Sequence, residues 1–403
     1  MKYVIILGDG MADYPIHQLD GKTPLTVAKK PMMDLLSSKG EVGLVKTVPD
    51  GFKPGSDVAN LGVLGYDVNQ CYTGRSPLEA LSMGITLEED DVALRTNLVT
   101  LSSDTPFESK TMVDYSAGEI STDDSAILIQ EIAEQLGTDK VKFYPGVSYR
   151  HLLVLKGAGK DSIKNLTLTP PHNITGKQVG EHLPKGSLEG LLTGLIKASN
   201  EILENHDINQ KRTLSGQNKA NNIWFWGEGT APQLESFEKK YGVKGAIISA
   251  VDLLKGIAKG ARMSAPMVDG ATGLLNTNYD GKAQTALDLL NDCDFVFVHL
   301  EAPDECGHQR DLQGKIKAIE LIDEKILTPI YNGLKGKTDF KIMVLPDHRT
   351  PIAVGSHTGE PVPYFIYDST KEMLGAKYDE LSAEATGNYI DNPSILTRKF
   401  FEN

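Results

Sequence analysis

The chain has 403 residues, more than one hydrophobic core usually serves, so two domains or one domain carrying a large insertion is expected. Hydrophobic residues make up 40% and charged residues 24%, which excludes wholesale disorder. With 54 acidic against 41 basic residues the formal net charge is -13, a surface that repels nucleic acid and anionic membrane but still allows a small anionic substrate where the field is locally reversed.

In chain order, the apolar run Tyr3 to Leu7 reads as a strand that ends in Gly8-Asp9-Gly10. It is too short for a signal-peptide core, and no segment reaches the roughly 18 apolar residues of a membrane span. A run from Val58 to Leu64, just after Ser56, can open a helix. The stretch from about Ser76 to Asn222 has a different character, with its own strand at Leu152 to Leu155 and a Thr-Pro-Pro turn at Thr169 to Pro171. Its polar run Asn205 to Asn222 reads as an exposed loop or crossover. Trp224 and Trp226 are read as packing anchors flanking a glycine-rich turn. Further strands follow at Gly245 to Ile248, Asp294 to Leu300 and Lys341 to Leu345, with amphipathic helices at Ala283 to Leu290 and Lys315 to Leu327 between them. This order predicts an α/β fold, a mostly parallel sheet flanked by helices, with an inserted α+β domain. The expected division is 1–75 with 232–403 for the sheet domain and 76–231 for the insertion. Cys71, Cys293 and Cys306 show no pairing pattern, so a reducing compartment and a cytoplasmic location are expected.

Aspartate and histidine recur where these strands end: Asp9, then Asp304 and His308, then Asp347-His348, then His357. Open α/β sheets bind ligands along that edge. Mixed carboxylate and imidazole donors suit zinc or manganese and not an all-oxygen calcium cage. Asp304 and His308 are four residues apart, so one helical turn puts both on one face. Any single Asp or His here could be a strand-end cap, but four such clusters at successive strand ends point to a shared metal site.

Gly8-Asp9-Gly10-Met11-Ala12-Asp13, Gly55-Ser56-Asp57-Val58-Ala59-Asn60-Leu61, Glu301-Ala302-Pro303-Asp304 through His308, and Pro346-Asp347-His348 together resemble the archaeal-type cofactor-independent phosphoglycerate mutases of the alkaline phosphatase superfamily. The likeness runs over essentially the whole chain. It implies an alkaline-phosphatase-like sheet domain and two divalent ions, manganese or zinc. One ion would be held by Asp304, His308 and His357, the other by Asp9, Asp347, His348 and the hydroxyl of Ser56. It also implies that Ser56 attacks the phosphate of 3-phosphoglycerate, and that the resulting phosphoserine returns the group to the 2-hydroxyl without a bisphosphoglycerate cofactor, a step of glycolysis and gluconeogenesis. Coordination would activate the serine without a histidine base. Sulfatase-like relatives would show Cys/Ser-x-Pro-x-Arg, and residue 58 here is valine.

The inserted domain is expected to close over the glycerate and keep water out. Arg75, Arg95, Arg150 and Arg262 are candidates for gripping its carboxylate and phosphate. His151 and Asp114 are candidate catalytic groups, and Lys255 resembles a lysine the family uses near the phosphate. The longer bacterial-type mutases carry an Asn-Phe-Arg-x-Asp-Arg stretch where this chain reads Trp224-Phe225-Trp226-Gly227-Glu228-Gly229. The same metal chemistry would also serve a homoserine kinase-like phosphotransferase or a phosphomonoesterase. His299, at the end of its strand, is placed to support a ligand from behind. A small phosphorylated metabolite is the expected partner, and a monomer the default assembly.

Overall fold

The computed structural model describes residues 1–402. Its strands are β1 (Lys2–Gly8), β2 (Glu41–Val45), β3 (Val92–Leu101), β4 (Met112–Asp114), β5 (Val141–Tyr144), β6 (Arg150–Leu155), β7 (Asn222–Thr230), β8 (Gly245–Ile248), β9 (Phe295–Leu300), β10 (Phe340–Leu345), β11 (Val362–Asp368) and β12 (Tyr389–Ile390). The chain divides into two compact units, Met1–Tyr72 with Gln233–Asn403, and Thr73–Pro232.

The first unit is built on a seven-stranded sheet ordered β12-β2-β11-β10-β1-β9-β8. Strands β10, β1, β9 and β8 pair in parallel, and only β11 runs against its neighbours. The strands of the parallel block are buried along their whole length apart from the first residue of β1, as their unbroken apolar sequences require when helices cover both faces. Helices Tyr279–Asp292 and Leu312–Ile322 carry Ala283, Ala286, Leu290, Ile319 and Ile322 into the same core. The expected helix 315–327 is not uniform: Asp323–Leu327 winds as a π-turn. There the buried Asp323 accepts the amides of Met33 (2.6 Å) and Met32 (3.2 Å).

The second unit has a five-stranded antiparallel sheet in which β3 pairs with β4, β6 and β7, and β6 pairs with β5. Helices Thr122–Leu136 and Glu189–Leu203 pack on it through Leu128, Ile129, Ile132, Leu192 and Ile196. Two expectations are corrected here. The polar run Asn205 to Asn222 contains a helix, Asp207–Leu214, because His206 caps it by accepting the Ile208 amide (3.1 Å). The buried Asn209 amide anchors that helix to the Leu203 and Ala220 carbonyls (2.8 and 3.0 Å). Trp224 and Trp226 do not flank a turn but lie within β7, which carries Gly227 at φ 66 as an irregularity. Among the described residues no helix is long and apolar enough to cross a membrane.

Candidate two-metal active site

Strand order assembles the site. In the sheet β1 lies between β10 and β9, and all three run parallel, so the segments that leave their C-terminal ends emerge side by side. Asp9 follows β1. Asp347 and His348 follow β10. After β9 the chain enters helix Ala302–His308, where Pro303 suits the first turn and Asp304 and His308 share one face. Ser56 opens helix Ser56–Val63.

These side chains form two groups whose donor atoms lie within 4.8 Å of one another, Asp304 with His308 and His357, and Asp9 with Asp347 and His348. In the first, Asp304 Oδ2 is 3.1 Å from His308 Nε2, Asp304 Oδ1 is 3.5 Å from His357 Nε2, and the two imidazole Nε2 atoms are 3.0 Å apart. In the second, His348 Nε2 is 3.6 Å from Asp9 Oδ1 and 3.5 Å from Asp347 Oδ2. The rings of His348 and His357 stack at 4.0 Å, so the groups adjoin. Ser56 Oγ lies 3.3 Å from Asp9 Oδ2 and 3.2 Å from His348 Nε2.

The donors fit divalent ions. Asp9 is 1% exposed, yet its Oδ1 is buried with no hydrogen-bond partner. A buried carboxylate oxygen in that state is costly unless a cation meets it. Burial, then the charges of Asp347, Asp304 and Glu301, push the Asp9 carboxyl well above the usual carboxylate range. Among the described residues the ion-pair partners of Asp9, Asp304 and Asp347 are all histidines, so no lysine or arginine pairs directly with these carboxylates. Burial also raises Asp304, but hydrogen bonds from His308 and His357 outweigh it and hold that carboxyl well below its ordinary value. In return Asp304 lifts His308 to about 9.

A second layer fixes these donors. His299 Nε2 meets Asp9 Oδ2 at 2.9 Å, and its Nδ1 meets Ser249 Oγ at 3.2 Å. Burial lowers this imidazole to about 4, so it stays neutral. Asp347 Oδ1 accepts the amides of Gly10 (3.1 Å) and His348 (2.9 Å), while Oδ2 accepts Asn60 Nδ2 (3.0 Å). The same Asn60 amide reaches the Ser56 carbonyl (2.8 Å), so one buried side chain ties the serine's helix to the candidate donor Asp347. Sequence reasoning gave Asn60 no role, although its position four residues after Ser56 on a helix places both on one face.

In the second unit, Arg95 is 8% exposed. Its Nε pairs with Glu79 Oε2 (3.1 Å) and its guanidinium lies 4.1 Å over the Trp226 ring. Burial lowers it to about 10, which leaves it charged at neutral pH. Arg75 Nε takes the other Glu79 oxygen (3.1 Å), and the exposed Arg150 lies 5.0 Å over the Tyr149 ring. His151 is buried, accepts the Gly146 amide on Nδ1 (3.1 Å) and has no partner on Nε2; burial, then Arg150, lowers it to about 3. Asp114 accepts from Ser116 and Gly118 amides, Ser116 Oγ and Asn218 Nδ2, the pattern of a turn-holding carboxylate. In the first unit, Lys255 bonds Asp252 Oδ1 (3.2 Å) on its own helix, Asp252–Gly260, and Arg262 is exposed just beyond it at φ 57. Among the described residues no hydrogen bond or ion pair joins either to the metal groups.

Stripping divalent ions with a chelator is expected to lower the melting temperature, and adding manganese or zinc to restore it. An ion that binds only the folded chain at 1,000 times its Kd contributes about 4 kcal/mol. A melting curve indifferent to both treatments would contradict this donor assignment.

A family model described as 2,3-bisphosphoglycerate-independent phosphoglycerate mutase matches residues 37–209. A relative of that name from Methanosarcina acetivorans is 51% identical over 368 residues, 91% of this chain and 90% of the relative. Among solved structures, a Pyrococcus horikoshii protein aligns with a TM-score of 0.82 at 28% identity, covering 99% of this chain and 97% of its own. A cofactor-independent phosphoglycerate mutase from Thermoplasma acidophilum aligns with a TM-score of 0.66 at 26% identity, covering 100% and 98%. With half-identity sustained over nine-tenths of both sequences, the chain belongs to the 2,3-bisphosphoglycerate-independent phosphoglycerate mutase family.

Proposed function

We propose that this chain interconverts 3-phosphoglycerate and 2-phosphoglycerate through a phosphoserine on Ser56, with Asp304, His308 and His357 holding one divalent ion and Asp9, Asp347, His348 and Ser56 Oγ the other. The observation that carries the reading is the placement of Ser56 Oγ at a helix start, 3.3 Å from Asp9 Oδ2 and 3.2 Å from His348 Nε2. Two such ions, manganese or zinc, supply charge to favour the serine alkoxide and to offset the phosphoryl oxygens. Ser56 Oγ forms its bond to phosphorus as the bond to the glycerate 3-oxygen breaks, and the glycerate 2-oxygen then takes the group back. The serine stores the phosphoryl group between the two transfers, so no bisphosphate is needed.

The guanidinium groups of Arg75, Arg95 and Arg150 in the second unit are assigned to the carboxylate and phosphate of the substrate, which planar forked donors suit. Arg95 is the strongest of these, since Glu79 and Trp226 orient it. His151, neutral and with Nε2 unpartnered, is kept as the group nearest in character to a proton carrier for the glycerate hydroxyls. Asp114, Lys255 and Arg262 carry less of this reading, because their described contacts are local. The second unit is taken as the cap that excludes water, and the enzyme as a cytoplasmic monomer.

Phosphorus NMR of the manganese-loaded protein with 3-phosphoglycerate and no bisphosphate is expected to show 2-phosphoglycerate growing in, absent with Ser56→Ala. Free phosphate as the sole product would make the chain a phosphomonoesterase, and an unchanged spectrum would overturn the mutase reading.

A further inference from the structure

One buried hydroxyl touches both metal groups. Thr350 is fully buried, two residues after His348. Its Oγ1 donates to Asp304 Oδ1, a member of one group, and lies 3.3 Å from Nδ1 of His348, a member of the other. A hydroxyl has one proton and can accept at its lone pairs. An ionised carboxylate can only accept, so the threonine proton goes to Asp304. Toward His348 the hydroxyl is then restricted to accepting, which places the imidazole proton on Nδ1. The lone pair of His348 is left on Nε2, the atom that faces Ser56 Oγ, Asp9 and Asp347.

We propose that Thr350 is a positioning residue for both groups: it sets the His348 tautomer that presents Nε2 to a cation and, through the same oxygen, fixes the rotamer of Asp304. Its own placement is tightly held. Lys315 Nζ donates to the Thr350 carbonyl at 2.8 Å, and a Cβ at Gly10 or Gly307 would meet Thr350 atoms at 2.5 Å. The inference deepens the two-metal reading and rests on it, yet the tautomer can be measured without turnover.

Thr350→Val keeps the side-chain shape and removes the hydroxyl, and Thr350→Ser restores the hydroxyl. In the full-length, metal-free protein labelled with nitrogen-15 histidine, the His348 signal, assigned by its loss in His348→Gln, is expected to report a proton on Nδ1 in the parent and in Thr350→Ser. In Thr350→Val it should shift toward the other tautomer or a mixture. Calorimetric titration with manganese should show affinity falling about 10- to 100-fold in Thr350→Val, with serine restoring most of it. An Nδ1-protonated His348 in Thr350→Val, or manganese affinity equal to the parent's, overturns the inference while leaving the two-metal reading standing. A parent protein that binds no manganese or zinc overturns both.

Discussion

Gly10→Ala is expected to abolish turnover and to destabilise the first unit by about 2–5 kcal/mol. Gly10 sits at φ 59, and a Cβ there would lie 2.5 Å from Thr350 Oγ1, 2.6 Å from Asp304 Oδ1 and 2.8 Å from Asp304 Cα. The left-handed conformation costs a non-glycine residue about 1–2 kcal/mol, and overpacking a filled site about 1–3 more. Nothing near can yield cheaply, because the Asp304 contact is partly backbone and the Thr350 hydroxyl is bonded on both sides. The displaced atoms belong to a candidate metal donor and its support, and the Gly10 amide itself donates to Asp347 Oδ1. Gly84→Ala is the matched control. Its φ is 79, but a Cβ there meets nothing within 4 Å, so only the conformational cost applies. Thermal unfolding of the two variants, with mutase assays, checks this; equal and small losses would contradict it.

Lys315→Met is expected to cost about 3–5 kcal/mol, the usual penalty for removing one partner of a buried ion pair. Lys315 and Asp13 are both 0% exposed and meet at 2.8 Å. The ammonium also donates to the carbonyls of Thr350 (2.8 Å) and Ala12 (3.2 Å), so one lysine ties the segment after β1 to the segment after β10. Burial pulls its proton affinity down and Asp13 opposes that. Methionine fills the volume but takes away the ammonium, leaving the buried Asp13 carboxylate, among the described residues, with only the Tyr14 and Ile352 amides as donors. Adding Asp13→Asn to Lys315→Met removes the stranded charge and should recover part of the loss. That positive coupling, read by denaturant unfolding of the four proteins of the cycle, separates charge from packing. Additive losses would contradict a specific ion-pair role.

Much of the first unit was legible in the sequence because its signals are local. Strands β1, β8, β9 and β10 are continuous apolar runs, and each of the last two leads into a candidate metal-donor motif. Strands β2, β11 and β12, on the far side of the sheet, gave no such signal. Glu41–Val45 holds a glycine where a Cβ would meet the Asn388 carbonyl at 2.7 Å, and that close approach is set by the tertiary fold. The same cause hid Thr350 and Asn60, whose roles come from contacts 46 and 287 residues away in sequence. His299 could be singled out from its place at a strand end, but its link to Ser249 spans 50 residues and is visible only in three dimensions. In the second unit, helix Asp207–Leu214 was obscured by its polar composition, since it is held by a histidine cap and buried amides and not by an apolar stripe.

The central claim is that Ser56 carries the phosphoryl group between substrate and product. Rapid acid quenching of the manganese-loaded protein after mixing with 3-phosphoglycerate, followed by mass mapping of its peptides, tests it most directly. One added phosphate confined to the peptide containing Ser56, and absent from Ser56→Ala, is the predicted result; a phosphoryl group found on a different residue would contradict the claim.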